Sequence, residues 1–179
     1  MVPERRFEIV TSYQNQGLTL PKRQTIAAAG YDLAAAQDFV VPSIWKQPLA
    51  QFILHKSKSQ ARDLWQKWVQ KALKPVLVPT GIKVSLPEDE VLLLVNRSSG
   101  PLNRGLVLPN SVGVIDADYY NNPQNEGEIF VQLLNYYPRD YLIKKGERIC
   151  QGIFTKYLTT VDDQISQQQR QGGFGSSGK

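Results

Sequence analysis

Residues 110–119 read Asn-Ser-Val-Gly-Val-Ile-Asp-Ala-Asp-Tyr, and the fold class follows from this stretch and its surroundings. Its β-branched residues, with a glycine that permits close backbone approach, predict a turn and the return strand of a β-hairpin. Asp116 comes directly after Ile115, at the end of this apolar strand. A carboxylate at the edge of a core is partly desolvated, so Asp116 is a candidate base. An acid at a strand end is also often simply solvated.

Short apolar segments separated by turn residues occupy most of the remaining chain. Many short strands of this kind indicate an all-β sandwich or barrel. Residues 17–25 are predicted to be irregular, and the alanines before Gly30 are too few to make a helix. The predicted strands are residues 6–10, 38–41, 76–79, 82–86, 91–95, 106–108, 112–115, 128–136, 141–143 and 148–154.

One amphipathic α-helix is predicted within an insertion at residues 43–75. Apolar residues between 61 and 73 recur at the i, i+3, i+4, i+7 spacing of one helical face. Seven Lys and Arg residues against one Asp give the insertion a net charge of +6, compared with +5 for the whole chain. The apolar face packs on the rest of the domain or presents Trp65 and Trp68 to a protein partner. The basic face is either solvated or a contact for nucleic acid.

Composition predicts a single cytoplasmic domain. The chain has 179 residues, of which 41% are hydrophobic and 21% charged, as in globular proteins. Cys150 is the single cysteine, which excludes an intramolecular disulfide and fits a reducing compartment. No apolar run is long enough for a signal peptide or a membrane span. We expect a domain over residues 1–161 and a flexible Gly/Ser-rich arm over residues 162–179.

Four further segments carry residue types suited to a polar ligand. Residues 30–32 put a carboxylate beside a glycine, and residues 146–151 form a turn into a strand that carries an amide. Residues 96–100, Asn-Arg-Ser-Ser-Gly, supply a planar cation and small donors, which suit a phosphate. The Gly/Ser tail lacks the spacing and lysine of a P-loop. Taken singly, each segment is also compatible with an ordinary surface.

Taken in order, the five segments resemble the five motifs of the trimeric dUTPase family. The resemblance implies a jelly-roll β-barrel, a homotrimer with shared active sites, and Mg²⁺-dependent hydrolysis of dUTP to dUMP and pyrophosphate. The matching segments are Ala-Gly-Tyr-Asp-Leu (29–33), Arg-Ser-Ser (97–99), Gly-Val-Ile-Asp-Ala-Asp-Tyr (113–119), Gly-Glu-Arg-Ile-Cys-Gln (146–151) and Gly-Gly-Phe-Gly-Ser-Ser-Gly (172–178).

The resemblance also implies a role for individual residues. Asp116 matches the aspartate that activates the attacking water, and Asp32 the carboxylate that reaches the metal through water. Tyr119 matches the ring under the deoxyribose, whose bulk excludes a ribose 2′-hydroxyl, and Phe174 matches the ring that stacks on uracil. The implied substrate-binding residues are Arg97, Ser98, Ser99, Asn110, Gly113, Val114, Ile115, Tyr119, Gln151, Arg170, Phe174, Gly175, Ser176 and Ser177.

The sequence departs from the family pattern in three places. Arg170 lies four residues before Phe174, whereas the family arginine usually lies five before its phenylalanine. The insertion at 43–75 falls where the family is usually short. A lengthened loop at 120–127 resembles a variant found in some bacterial and phage members.

Two other functions compete with dUTP hydrolysis. A dCTP deaminase shares the barrel and an Arg-Ser-Ser segment, but it needs a glutamate proton shuttle where this chain has Gln132. An amide cannot accept and return a proton at neutral pH, which disfavours deamination. A regulatory or binding role through the inserted helix is compatible with an enzymatic domain.

Overall fold

The structure, a computed structural model, describes residues 4–46, 70, 73–162 and 173. In these ranges the regular secondary structure is mostly β-strand, with short helical turns at Thr11–Tyr13, Ile44–Lys46, Gly100–Arg104 and Ala117–Tyr119. The strands are β1 (Arg6–Ile9), β2 (Tyr31–Ala34), β3 (Phe39–Val41), β4 (Val76–Pro79), β5 (Ile82–Ser85), β6 (Glu90–Asn96), β7 (Leu106–Val107), β8 (Gly113–Asp116), β9 (Phe130–Asn135), β10 (Tyr141–Ile143) and β11 (Arg148–Lys156).

The described strands pair antiparallel into four sheets. The largest has the order β2-β11-β6-β8, and a second has the order β4-β9-β7. Two further pairs are β1 with β5 and β3 with β10. Their inner faces share one hydrophobic core, in which Leu33, Leu92, Ile129 and Ile143 are completely buried. Removing such side chains from water is the main driving force for the fold.

Strand register fixes which residues share the outer face of the four-stranded sheet. Asp32 on β2 lies opposite Gln151 on β11, which lies opposite Val95 on β6. Further along β6, Val91 lies opposite Asp116 on β8. Because side chains alternate between the two faces of a strand, Asp32 and Asp116 both belong to the outer face, at diagonal corners.

Over the described ranges the structure confirms a mostly β-strand architecture and corrects two details. The β-hairpin predicted at residues 110–119 is wrong, because β8 pairs with β6 while the preceding β7 pairs with β9. Residues 110–112 therefore connect two sheets. The strand Tyr31–Ala34 was not predicted. It carries an aspartate, a residue depleted in strands, whose charge is compensated by side chains distant in the sequence.

Several predictions concern residues outside the described ranges. They include most of the helix predicted within 43–75 and almost all of the arm at 162–179. Each stays a prediction. Among the described helical segments, none has the length and apolar character required to cross a bilayer.

Candidate active site

The first group of candidate residues surrounds the buried carboxylate of Asp32. Arg97 Nε donates to Asp32 Oδ1 at 3.0 Å and Arg148 Nη1 donates to Oδ2 at 3.1 Å. Gln151 Nε2 also donates to Oδ1, at 3.3 Å. The Asp32 side chain is only 3% exposed. We call Asp32, Arg97, Arg148 and Gln151 the Asp32 cluster; its excess positive charge suits an anionic ligand.

Local backbone features assemble the Asp32 cluster. Gly30 lies so close to Gln151 that a Cβ at residue 30 would be 3.1 Å from Gln151 Cδ. Arg97 follows the last residue of β6, and the Gly100 N–H donates to the Arg97 carbonyl, which turns the chain. Ser98 is exposed and Ser99 half-buried in that turn. Both serines therefore follow the cluster residue Arg97 directly along the chain.

The second group of candidate residues surrounds a pocket of about 150 Å³, the Tyr119 pocket. It lies where β8 meets β6 and the end of β7, and Gly173 of the tail also reaches it. The Tyr119 side chain is buried in its wall. The lining residues are Leu94, Leu108, Asn110, Gly113, Val114, Ile115, Tyr119, Phe130, Gln132 and Gly173.

The chain at 110–113 follows the pocket wall closely. Val112 N donates to the Asn110 carbonyl at 2.6 Å, and Ser111 has a positive φ of 61°. A Cβ at Gly113 would lie 3.1 Å from Leu94 Cβ, so the absence of a side chain lets β8 pack tightly on β6. The close approach of β8 to β6 therefore brings the backbone at Gly113 into the pocket wall.

Asp116 is the last residue of β8 and is half-buried. Strand alternation puts its side chain on the same face as Val114, which lines the Tyr119 pocket. A three-residue turn, Ala117–Tyr119, begins immediately afterwards and returns the chain to the pocket. Asp116 itself does not line the pocket, but it follows directly after the lining residue Ile115.

The lengthened loop at 120–127 contacts Tyr119 at its hydroxyl group. Its hydroxyl donates to the Glu128 carbonyl at 2.9 Å and accepts from Asn125 Nδ2 at 2.8 Å. Gly173 of the tail also lies close to the ring, since a Cβ at Gly173 would lie 2.9 Å from Tyr119 Cε2. The hydroxyl is therefore engaged within the protein, and the ring forms part of the pocket surface.

The two groups lie far apart within one chain. Asp32 and Asp116 are separated by three strand spacings across the sheet and by four residues along β6, from Val95 to Val91. With about 4.8 Å per strand and about 3.3 Å per residue, their Cα atoms are roughly 20 Å apart. A single copy does not bring both carboxylates to neighbouring atoms of one small ligand.

The described residues predicted for the site thus fall into two sets. Asp32, Arg97, Ser98, Ser99 and Gln151 share one corner of the sheet. Asn110, Gly113, Val114, Ile115 and Tyr119 share the pocket, whereas Asp116 is next in sequence to Ile115 and does not line it. Arg170, Phe174, Gly175, Ser176 and Ser177 lie outside the described residues.

Four residues near these groups were not predicted as site residues. The sequence did not indicate Arg148, because its contact with Asp32 depends on the pairing between β2 and β11. Phe130 and Gln132 alternate on β9 towards the pocket, but only the packing of β9 shows which face they occupy. Asn125 sits in a polar loop and gave no sequence signal.

Two buried titratable groups lie near the site. Burial raises the pKa of the Cys150 thiol far above its usual range, so it stays a neutral core residue. Burial also raises the pKa of the Glu128 carboxyl, which accepts a hydrogen bond from Gly81 N at 3.0 Å. Neither residue lines the Tyr119 pocket.

Comparisons with known proteins agree with the geometry. The dUTPase family model matches residues 64–178. A deoxyuridine 5′-triphosphate nucleotidohydrolase from Lactococcus lactis subsp. lactis is 41% identical over 175 residues, which cover 97% of each chain. The chain belongs to the dUTPase family. It is therefore a member of a hydrolase family of nucleotide metabolism.

Other dUTPases extend the comparison. A deoxyuridine 5′-triphosphate nucleotidohydrolase from Rickettsia conorii is 32% identical, covering 94% of this chain and 95% of the relative. The crystal structure of a Streptococcus mutans dUTPase superposes with a TM-score of 0.66 at 41% identity, covering 86% of this chain and 97% of the other. The dUTPase from phage phi11 of S. aureus, at 17% identity and a TM-score of 0.62, shares the fold.

Proposed function

We propose that this protein hydrolyses dUTP to dUMP and pyrophosphate, with the Tyr119 pocket holding the nucleoside. The observation that carries the proposal is the pocket wall formed by Asn110, Gly113, Val114, Ile115 and Tyr119. Its volume of about 150 Å³ is below the ~300–1,000 Å³ of pockets for drug-sized ligands, so it suits one ring with its sugar. Backbone groups in a narrow wall discriminate between bases, because a wrong base leaves buried polar groups unpaired.

In this proposal Asp116 is the base. What supports this role is that Asp116 follows directly after Ile115, which lines the pocket. A carboxylate that orients a water and takes its proton contributes about 10²- to 10⁴-fold in rate. Attack on the α-phosphorus then releases pyrophosphate.

The phosphates are proposed to bind the Asp32 cluster and the hydroxyls of Ser98 and Ser99. Arg97 and Arg148 supply two guanidinium groups against one carboxylate, which leaves net positive charge for the triphosphate. Gln151 supplies an amide at the same corner. Arg170 and the segment at 174–177 are proposed to cover the bound nucleotide, which excludes water when closed.

Mg²⁺ fits this site as an ion carried by the nucleotide. The residues that the structure describes contain no group of three His, Cys, Asp or Glu side chains that could hold a metal. Mg²⁺ commonly binds substrate phosphates, waters and only one or two carboxylates. Asp32 Oδ2 accepts from Arg148 and has capacity for a second donor, such as a metal-bound water. The ion would neutralise phosphate charge and align the α-phosphorus.

The separation of the two groups supports a homotrimer with shared active sites. About 20 Å lies between Asp116 and Asp32 in one chain, so both act on one triphosphate only if different copies supply them. The outer sheet face between them carries the apolar residues Leu93 and Ile153, which are half-buried in one copy. That face is suited to packing against a second copy.

The described residues favour hydrolysis over deamination of dCTP. Gln132 lines the pocket with an amide, at the place where a deaminase needs an acid. A cytoplasmic location remains part of the proposal, and the free buried Cys150 fits a reducing compartment.

Pyrophosphate release from dUTP, dCTP, dTTP and UTP, measured side by side, tests the proposed function. We expect release from dUTP to exceed the others by at least about 10²-fold in kcat/KM. Equal rates with all four nucleotides would contradict the proposal that the pocket selects uracil and deoxyribose. Ammonia release from dCTP would identify a deaminase instead.

A further inference from the structure

The lengthened loop at 120–127 forms a fixed hydrogen-bonded unit behind Tyr119. Asn122 Oδ1 accepts from the backbone N–H groups of Gln124 and Asn125 at 3.1 and 3.3 Å. Asn125 Oδ1 accepts from the N–H of Gly127 at 3.1 Å. Because a backbone N–H can only donate, these contacts fix the orientation of both side-chain amides.

The fixed amides determine the direction of each hydrogen bond to Tyr119. With its oxygen turned towards Gly127, Asn125 must present Nδ2 to the Tyr119 hydroxyl, at 2.8 Å. The hydroxyl then has its own proton available for the Glu128 carbonyl, at 2.9 Å. Aligned donors in a buried chain polarise and strengthen one another. The buried ring is therefore held at its far end from two directions.

The loop is anchored to the rest of the fold. Glu126 accepts from both the N–H and the hydroxyl of Thr11, at 3.2 and 3.0 Å. These hydrogen bonds, led by the backbone N–H, lower the pKa of the Glu126 carboxyl, so it stays ionised at neutral pH. Lys83 Nζ donates to Asn121 at 2.6 Å. Asn121 and Glu126 have positive φ values of 54° and 59°, a conformation that persists only where surrounding contacts hold it.

We propose that Asn125 is a positioning residue that sets sugar specificity through the Tyr119 hydroxyl. By fixing the ring in the pocket wall, Asn125 keeps closed the space that a ribose 2′-hydroxyl would need. The hydrogen bonds within the loop do not depend on the proposed function, whereas the effect of Asn125 on sugar specificity rests on it. Asn125 itself does not line the pocket and acts only through Tyr119.

A double-mutant cycle on Asn125→Ala and Tyr119→Phe tests the proposal. The measured quantity is kcat/KM for dUTP divided by kcat/KM for UTP. Asn125→Ala should lower this ratio by about five- to ten-fold, the size expected for one lost hydrogen bond. Tyr119→Phe removes both hydrogen bonds of the hydroxyl and should lower the ratio at least as much. In the Tyr119→Phe background, Asn125→Ala should lower the ratio no further. The exposed Gln124 side chain provides a matched control on the same loop, and Gln124→Ala should leave the ratio unchanged.

Two kinetic results would overturn the proposal. One is an unchanged ratio in Asn125→Ala. The other is an equal drop from Asn125→Ala in both backgrounds, because a residue that only stabilises the loop acts without the Tyr119 hydroxyl. A loss that appears in total activity but leaves the dUTP to UTP ratio intact counts as the first result.

A measurement without nucleotide separates this inference from the proposed function. In ¹⁵N spectra, one side-chain amide proton of Asn125 should exchange slowly and should shift when Tyr119→Phe removes the hydroxyl. This readout remains available if Asn125→Ala does not fold. If the wild type fails to hydrolyse dUTP, the proposed function falls while a shifted Asn125 signal still supports the contact; an unshifted signal overturns it.

Discussion

Replacing Arg97 with methionine removes the stronger charged partner of a buried carboxylate. Arg97 and Asp32 are 16% and 3% exposed at their side chains, and Nε lies 3.0 Å from Oδ1. Methionine retains much of the alkyl stem, so the change mainly removes the guanidinium. Asp32 keeps Arg148 on Oδ2 and Gln151 on Oδ1.

The expected loss of stability is about 2–3 kcal/mol. A hydrogen bond to a charged group contributes about 1.5–3 kcal/mol, whereas leaving a buried charge with no partner costs about 3–5 kcal/mol. Because two donors to Asp32 remain, the stability loss for Arg97→Met should lie near the lower of these two ranges. Arg6→Met is the matched control, because the Arg6–Glu8 pair is also short, at 2.6 Å, but its side chains are 61% and 29% exposed. Solvent screening makes such an exposed pair contribute little to stability.

Urea unfolding at equal protein concentration measures both variants. With an m-value of about 1–3 kcal/mol/M, Arg97→Met should lower the midpoint by roughly 1 M, and Arg6→Met by much less. Equal concentrations are needed because assembly contributes to apparent stability. If the midpoint falls no further for Arg97→Met than for Arg6→Met, the reasoning is refuted, because a buried Asp32 cluster should lose stability when one of its members is removed.

Three further predictions concern catalysis, pH and the loop. Asp116→Asn should lower kcat for pyrophosphate release by about 10²- to 10⁴-fold with little change in KM, since an amide cannot take a proton from water; near-normal turnover would exclude Asp116 as the base. In the folded protein, burial raises the pKa of the Glu128 carboxyl above its ordinary value of 4.5. The folded state therefore loses stability as the pH rises above 4.5, because the buried carboxyl must then ionise. The stability gain from Glu128→Gln should therefore be present at pH 7 and vanish below pH ~4 in urea titrations; a gain that is constant with pH would contradict this. Gly127→Ala should lower Tm by several degrees, because φ is +81° and the new Cβ would lie 2.6 Å from the Tyr119 carbonyl oxygen; an unchanged Tm would show that the loop relaxes freely.

The sequence predicted most of the strands, because alternation of apolar and polar residues is a local property. Val76–Pro79 and Tyr141–Ile143 have the predicted limits. Tyr31–Ala34 was missed, since local patterning disfavours a strand that buries an aspartate. Only the pairing with β11, more than a hundred residues later, brings Arg148 and Gln151 to that charge.

The candidate site was predicted by residue type but not by arrangement. The stretch from Asn110 to Tyr119 indicated part of the pocket wall because those wall residues lie close together in the sequence. The hairpin expected there was wrong, since the choice of strand partner is a tertiary property. The contribution of Asn125 depends on the direction of a side-chain amide, which the folded loop fixes and the sequence does not reveal.

Complementation between two variants, each altered in one of the two groups of candidate residues, tests the central claim most directly. Asp116→Asn retains the Asp32 cluster, and Arg97→Met retains Asp116. If each active site combines Asp116 of one copy with the Asp32 cluster of another, random co-refolding in equal amounts restores about a quarter of wild-type pyrophosphate release from dUTP. Activity that stays at the level of the two separate variants would contradict a shared site.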